Sequence, residues 1–247
     1  MKKRLLGIFL LIFSGNVLGD QHAAAMPTIY GQSYSLIVTN PVAVIAAMDA
    51  YRASPAAQAV ARNTVLIQNV ANGDNPSTHT INVFYQSAAD MDRALVANAT
   101  SRDAAVFLST MRESTTIETE NVFTVTQIGG NPPDTSAPGA VQYLIGLEVT
   151  EGEAFRSAFE NLWNSDAIVS FPGGVYFGEV LGMGESKMTH FISFITADMA
   201  TMMDAMTKLQ SSAAMAEYVQ GANAFRNYSS SSIGRQIKSW SGWTLAN

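Results

Sequence analysis

The sequence predicts an α+β protein in which one β-α-β-β-α-β unit is written twice and the two sheets pack against each other as a pseudo-twofold barrel. Three observations predict it. Displacing the chain by 111 positions aligns residues 36–112 with 147–223 without a gap, and identities include Leu36 with Leu147, Thr39 with Thr150, Thr78-His79 with Thr189-His190 and Ile81 with Ile192. Helical stripes of apolar residues recur at the same displacement. Short alternating runs of strand character separate them in the same order in both copies.

The elements follow in order along each copy. Tyr34 to Thr39 and Tyr143 to Thr150 alternate apolar and polar residues and open the two units as strands. Val44, Ala47, Met48 and Tyr51 then fall at i, i+3, i+4 and i+7, and Phe155, Ala158, Phe159 and Leu162 repeat that stripe, which makes both segments amphipathic helices. Two further strands follow, Thr64 to Asn69 and Thr80 to Tyr85, with counterparts Val175 to Val180 and Phe191 to Thr196. Between them Gly73-Asp74-Asn75-Pro76 and Gly182-Met183-Gly184-Glu185 supply hairpin turns. Met91, Ala94, Leu95 and Met202, Ala205, Met206 mark a later helix, and Val122 to Ile128 and Ile233 to Trp240 close the halves. This order is the split βαβ of ferredoxin-like domains. It assigns residues 33–128 to the first repeat, the Gly/Pro/Asn/Ser-rich stretch 129–140 to a linker, 141–241 to the second repeat and 242–247 to a tail.

The first residues read as an address. Met1-Lys2-Lys3-Arg4 is a basic n-region and Leu5 to Phe13 an apolar run too short to span a bilayer, so residues 1–19 are expected to be a secretory signal peptide and 20–32 an extension before the fold. Gly19, with Val17 three positions back, is the favoured cleavage point; Ala23-Ala24-Ala25 offers a second after Ala25. Removal of Lys2, Lys3 and Arg4 leaves 11 basic residues against 20 acidic ones, a mature charge of −9. That disfavours nucleic acid as a partner, because phosphate binding needs a basic face. With no cysteine there is no disulfide scaffold, thiolate metal site, cysteine nucleophile or lipid attachment, and no second apolar run is long enough to insert stably in a membrane. A bacterial periplasmic or secreted location is the expectation.

A split βαβ unit covers one sheet face with helices and leaves the other bare, on the order of 350 Å² per unit. Joining the two bare faces contributes about 5 to 10 kcal/mol gross, before ordering costs. Period two assigns Leu36, Val38, Ile81 and Val83 and their counterparts to the helix side. The opposite parity holds Ser35, Ile37, Thr39, Thr80, Asn82 and Phe84 in one copy and Gly146, Glu148, Thr150, Phe191, Ser193 and Ile195 in the other. So mixed an interior predicts a cavity instead of a solid core. The ligand contacts expected there are Thr39, Asn82, Phe84, Glu148, Thr150, Phe191 and Ser193. Glu148 needs Arg235, Lys238 or water as partner, because a carboxylate buried alone is costly.

The duplicated order, with Ser54-Pro55-Ala56-Ala57-Gln58-Ala59 in one copy and the phrase running from Leu209 to Tyr218 in the other, resembles the dimeric α+β barrels. That superfamily includes antibiotic-biosynthesis-type monooxygenases, stress-responsive barrel proteins and haem-degrading relatives. The resemblance covers Tyr34 to Trp240. It implies a barrel closed by two subunits, or two fused copies, around an interior ligand site, with activities from cofactor-free oxygenation to none; it transfers no catalytic residue.

The remaining chemistry is sparse. His79 and His190 occupy equivalent places and form a candidate polar pair, as ligands or acid-base groups or, on their helix-side parity, as structural imidazoles bonded to a loop. No local ligand spacing indicates a metal, and the stripe Met199, Met202, Met203, Met206 reads as packing more readily than as a cuprous site. There is no nucleophile elbow and no dinucleotide fingerprint, and no cofactor is expected. The function expected is that of an exported protein binding a small hydrophobic or aromatic molecule. The alternatives are a cofactor-independent monooxygenase-type enzyme using the same cavity, and a non-catalytic interaction protein with a filled interior. Oligomeric state is left open.

Overall fold

The computed structural model describes residues 28–136, 138–182 and 186–243. The expected signal peptide, all but the last five residues of the extension 20–32 and most of the tail lie outside the described residues, as do Met183, Gly184 and Glu185 of the second hairpin turn. The elements of the first repeat are β1 (Ile29–Val38), α1 (Pro41–Arg52), α2 (Pro55–Gln58), β2 (Asn63–Ala71), β3 (His79–Tyr85), α3 (Ala88–Thr100), α4 (Arg102–Ser114) and β4 (Thr115–Gly130). Those of the second are β5 (Val141–Val149), α5 (Gly152–Trp163), α6 (Asp166–Val169), β6 (Gly174–Gly182), β7 (His190–Thr196), α7 (Met199–Gln210), α8 (Ala213–Ala222) and β8 (Arg226–Trp240).

Side-chain caps start several of these helices: Asn40, Ser87, Asp198 and Ser212 each accept a backbone N–H three residues on, which satisfies a donor the helix itself cannot. α1 buries Val44, Met48 and Tyr51, and α5 buries Phe155, Phe159 and Leu162, the stripes expected. The later helices are unequal. α7 buries Met202, Ala205, Met206 and Leu209, whereas α3 buries Ala94 alone and leaves Leu95 exposed.

The strands close into one barrel in the order β1-β3-β2-β8-β5-β7-β6-β4, every neighbouring pair antiparallel. The repeat displacement survives in the hydrogen-bond register: Leu36 pairs with His79 and Ile117, Leu147 with His190 and Tyr228. The two sheets form the expected pseudo-twofold barrel, and they join edge to edge as one continuous ring. The reason lies in β4 and β8, which run for 16 and 15 residues, about twice the expected length. The first part of each pairs within its own repeat, β4 on β1 and β8 on β5; the later part pairs with the other repeat, β4 on β6 and β8 on β2. Each repeat thus hydrogen-bonds the free edge of the other, and the barrel has no open edge along its closed section.

Two boundaries differ from the sequence reading. β1 begins at Ile29, inside the stretch assigned to the extension, because Gly31 interrupts the alternation without interrupting the ladder. Gly129 and Gly130 belong to β4, where they pair with Val175 and Gly174, so the connection between repeats starts at Asn131. One latch ties helix layer to barrel across the repeats: Asp49 of α1 accepts hydrogen bonds from Lys238 Nζ and Trp240 Nε1 of β8, both at 2.8 Å. Among the described residues no helix is long and apolar enough to cross a membrane.

Candidate functional site

In an antiparallel ring of eight, β1, β2, β5 and β6 point one way, so both hairpin turns and the first halves of β4 and β8 gather at one end of the barrel. The interior holds a cavity of about 470 Å³, within the ~300–1,000 Å³ range of small-molecule sites. The end with the hairpins is a polar mouth, lined by Asn69, Asn72 and Asn75 and by Ser229 to Ser232 of β8. The opposite end is an apolar floor, where Phe84, Ile29 and Trp243 meet. Trp243 is held there by Asn63, whose Oδ1 accepts its N–H at 3.2 Å and whose Nδ2 donates to its carbonyl at 3.0 Å.

A second division runs along the barrel. The wall β5-β7-β6-β4 presents Phe191, Phe123, Leu144, Val180 and Tyr176; the facing wall β1-β3-β2-β8 presents Ser33, Ser35, Thr80, Asn82, Asn69 and Ser232. Phe123 packs edge-on between Phe84 and Phe191, with centroids 5.7 and 5.4 Å away. Glycine makes room for both central rings. A Cβ on Gly31 would lie 2.2 Å from Phe123 Cζ, and one on Gly178 would lie 2.5 Å from Phe191 Cζ and 1.9 Å from the Thr124 carbonyl oxygen. The rings therefore lie across bare backbone instead of standing into the cavity, which widens it.

Among the described lining residues none carries a formal charge at neutral pH and none is histidine. The one titratable group is Tyr176, whose phenol burial pushes up, so it stays protonated and can donate. Gln142 donates from Nε2 to Ser193 Oγ at 2.8 Å and bridges two strands of the apolar wall.

The expected contacts separate into two groups. Asn82, Phe84, Phe191 and Ser193 line the cavity together. Thr39, Glu148 and Thr150 are not among its lining residues. β3 and β7 begin opposite Leu36 and Leu147, so the chain beyond those residues stands past the rim with a neighbour on one side only. Thr39 is exposed and donates to the Ser114 carbonyl at 3.0 Å. Glu148 accepts from Asn227 Nδ2 at 3.4 Å, in place of the Arg235 or Lys238 partner expected; Lys238 is taken by Asp49. Thr150 is exposed, its N–H bonded to the Phe225 carbonyl.

His79 and His190 project to the helix side, away from the cavity. In each copy the preceding threonine hydroxyl lies 2.9 Å from the imidazole Nδ1 and accepts the N–H of Val38 or Val149 at 2.9 Å. Those bonds sit beside matching register shifts, at Ser35/Leu36 and Gly146/Leu147, so the Thr-His pair braces a bulge in both copies. Burial lowers both imidazole pKa values; His190 also packs against Phe155 and Phe177. No group of three or more His, Asp or Glu side chains able to hold a metal occurs among the described residues.

Sequence reasoning missed Tyr176, Phe123, Gln142 and the serines. Ser229 to Ser232 carry no apolar alternation, yet they lie within β8, Ser230 pairing with Gly146. The available signal was Gly31 and Gly146, bare positions on strands whose neighbours carry inward rings.

No protein-family profile matches the chain, and no curated protein matches it in sequence. Its fold matches solved structures. A candidate monooxygenase from Lactobacillus acidophilus NCFM superposes with a TM-score of 0.54 at 13% identity, over 90% of this chain and 100% of that one. An anthrone oxidase-like protein gives 0.56 at 12% identity, over 89% and 95%. A variant of the chlorite dismutase from Candidatus Nitrospira defluvii gives 0.50 at 10% identity, over 84% and 90%. This chain accordingly has the dimeric α+β barrel fold, completed within a single polypeptide by its two repeats.

Proposed function

We propose that the protein is exported and binds a neutral small molecule carrying an aromatic or apolar face and a polar edge, held inside the barrel. The carrying observation is the uncharged cavity of about 470 Å³ in which Phe123, Phe191 and Tyr176 lie on one wall and Ser33, Thr80 and Asn82 on the other. An anionic or cationic ligand would lose its hydration there without gaining a counter-charge, at a cost of several kcal/mol. A flat neutral molecule can lie against Phe123 and Phe191 while its hydroxyls or carbonyls meet Asn82, Thr80 and Ser33. Export is supported by the basic start and short apolar run of residues 1–13.

A second reading is supported by the anthrone oxidase-like and monooxygenase-like neighbours. In it the ligand is a substrate, such as an aromatic ketone with an activated methylene. The balanced reaction is that methylene plus O2 giving a carbonyl plus water, with all four electrons supplied by the substrate. The chain's own part is to orient the rings, exclude bulk water and keep the Tyr176 phenol as a proton donor beside the oxygenated carbon.

Purified protein is titrated with a hydroxylated anthrone, the corresponding anthraquinone and a carboxylated anthraquinone, following tryptophan fluorescence and melting temperature. A neutral ligand at 100 times its Kd adds about 2.7 kcal/mol, a rise of about 5 to 11 °C for a chain of this size. The carboxylated analogue should bind at least tenfold more weakly. If neither neutral compound nor a wider panel of neutral aromatics shifts the melt, the binding reading is wrong. Oxygen uptake matched to quinone formation above the uncatalysed rate would establish the enzyme reading; binding without uptake would exclude it for that compound.

A further inference from the structure

The first repeat places a buried and a half-buried arginine beside each other, outside the barrel, where α1 ends and β2 begins. Arg62 is 4% exposed; its Nη2 donates to the Tyr51 hydroxyl at 2.9 Å and its guanidinium lies 5.2 Å from the Tyr51 ring centroid. Arg52 donates from Nη2 to the Arg62 carbonyl at 2.7 Å. The Tyr51 hydroxyl in turn donates to Asn98. Arg52 Nε and Nη1 are sealed from solvent and have no acceptor among the described residues. The titratable groups acting on Arg52 are Arg62, Tyr51 and Tyr85, and among the described residues neither arginine forms a salt bridge.

The second repeat shows what this place needs for folding alone. At the positions of Arg52 and Arg62 it carries Trp163 and Gly173, and at those of Tyr51 and Asn98 it carries Leu162 and Leu209. An indole and two leucines fill the equivalent space. A second comparison is Arg226, also 4% exposed, whose Nε and Nη2 reach the hydroxyls of Tyr218 and Tyr228 at 3.0 and 3.3 Å. A lone buried guanidinium here is satisfied by phenols. The Arg52-Arg62 pair is not: two like charges share one desolvated place, guanidinium does not shed its proton at neutral pH, and two donors are bare.

We propose that Arg52 and Arg62 form a binding site for a small dianionic oxyanion of the phosphate type, which supplies the missing acceptors and the missing charge. Arg52 is half-buried as a residue while its Nε and Nη1 are sealed, so an anion reaches them at the end of α1 only as the side chains covering the guanidinium shift. A tetrahedral dianion can accept from Arg52 Nε and Nη1 and still face Arg62, forming the short charge-assisted bonds that neutral partners cannot.

The test is calorimetric titration of the purified protein with inorganic phosphate in a chloride buffer at fixed ionic strength, with acetate as a singly charged control. One saturable phosphate site is expected, with a Kd on the order of 1 mM or tighter, and acetate at least tenfold weaker. Arg52→Met should abolish the heat while leaving the phosphate-free protein as stable as the parent or more so, because a bare buried cation is replaced by an apolar chain. Arg226→Met should retain the phosphate site. Should Arg52→Met fail to fold, Arg52→Lys keeps the charge and is expected to weaken phosphate about tenfold. Absence of saturable phosphate heat in the parent, or its persistence at parental strength in either Arg52 variant, overturns the proposal.

Discussion

Gly178→Ala should be among the most damaging single-methyl changes in this protein. The added Cβ would fall 1.9 Å from the Thr124 carbonyl oxygen and 2.5 Å from Phe191 Cζ. The first contact is with backbone in the β4–β6 ladder, which cannot swing aside without breaking pairing that joins the two repeats. Overpacking of this kind costs about 1–3 kcal/mol, and a clash with fixed backbone belongs at the upper end. At roughly 2–4 °C per kcal/mol for a domain of this size, the melting temperature should fall by about 6 to 12 °C. Gly31→Ala is the control: the atoms nearest its Cβ would be the far edge of the Phe123 ring, at 2.2 to 2.8 Å, and a ring can tip into the cavity. The loss there should be about 1–2 kcal/mol, with a larger penalty in ligand affinity because the tipped ring occupies the site. Double-mutant cycles read by thermal and urea unfolding separate the cases. Phe123→Leu should recover at least about 1 kcal/mol of the Gly31→Ala loss, whereas Phe191→Leu should recover little of the Gly178→Ala loss. Equal rescue at both sites, or Gly178→Ala melting within 2 °C of the parent, would refute this account of the wall.

Three further outcomes are expected. Both imidazoles have folded pKa values below the ordinary 6.5, so the unfolded chain takes up protons first; stability is full above about pH 6.5 and falls as pH drops below it. His79→Gln with His190→Gln should flatten that decline in urea unfolding at a series of pH values and leave ligand affinity within a few-fold; a collapse of affinity at unchanged stability would assign the pair to the site. Tyr176→Phe should leave the melt within about 1 °C but weaken a carbonyl-bearing ligand about two- to tenfold, the worth of one hydrogen bond, measured by fluorescence titration. Asn82→Leu should weaken a polyhydroxylated aromatic more than its unsubstituted parent hydrocarbon, and equal losses would mean that the polar wall does not contact the ligand.

The repeat made much of this architecture legible, for a physical reason. Helical stripes such as Phe155, Ala158, Phe159 and Leu162 report burial on one face whatever lies beyond, and they recur at the displacement that the strand registers also keep. Barrel closure was less legible, because it depends on the reach of β4 and β8. Their first halves, at Thr115–Glu120 and Arg226–Ser231, are polar and mostly exposed, so no alternation marks them as strand. The site divided along the same line. Asn82, Phe84, Phe191 and Ser193 lie where β3 and β7 are flanked on both sides, so parity places them. Parity also sent Thr39, Glu148 and Thr150 inward, but it says nothing of where a barrel ends, and all three lie past the rim.

A barrel made by two identical subunits must present each inward residue twice, on opposite walls, so its interior is symmetric and suits a symmetric ligand or one that breaks the symmetry at a cost. Fusion of the copies removes that constraint, and this chain has used the freedom along the whole cavity: Thr80 faces the position of Phe191, Ser33 that of Leu144, Asn69 that of Val180 and Asn82 that of Ser193. Two of the polar members also hold the mouth together, Thr80 Oγ1 donating to Asn69 Oδ1 at 3.0 Å and Asn69 Nδ2 donating to Ser77 Oγ at 2.9 Å, whereas among the described residues no such bond ties Ser33. The polar groups are concentrated on one wall and at the mouth beside it, so they define an orientation for whatever enters. Replacing the polar wall by its counterpart residues, Thr80→Phe with Asn69→Val and Ser33→Leu, should therefore remove the preference for ligands with a polar edge, and should lower the melting temperature by breaking the Thr80–Asn69–Ser77 bonds, whereas Ser33→Leu alone should weaken that preference at little cost in stability. A folded variant that still discriminates between such ligands would show that the divergence of the two walls serves something other than recognition.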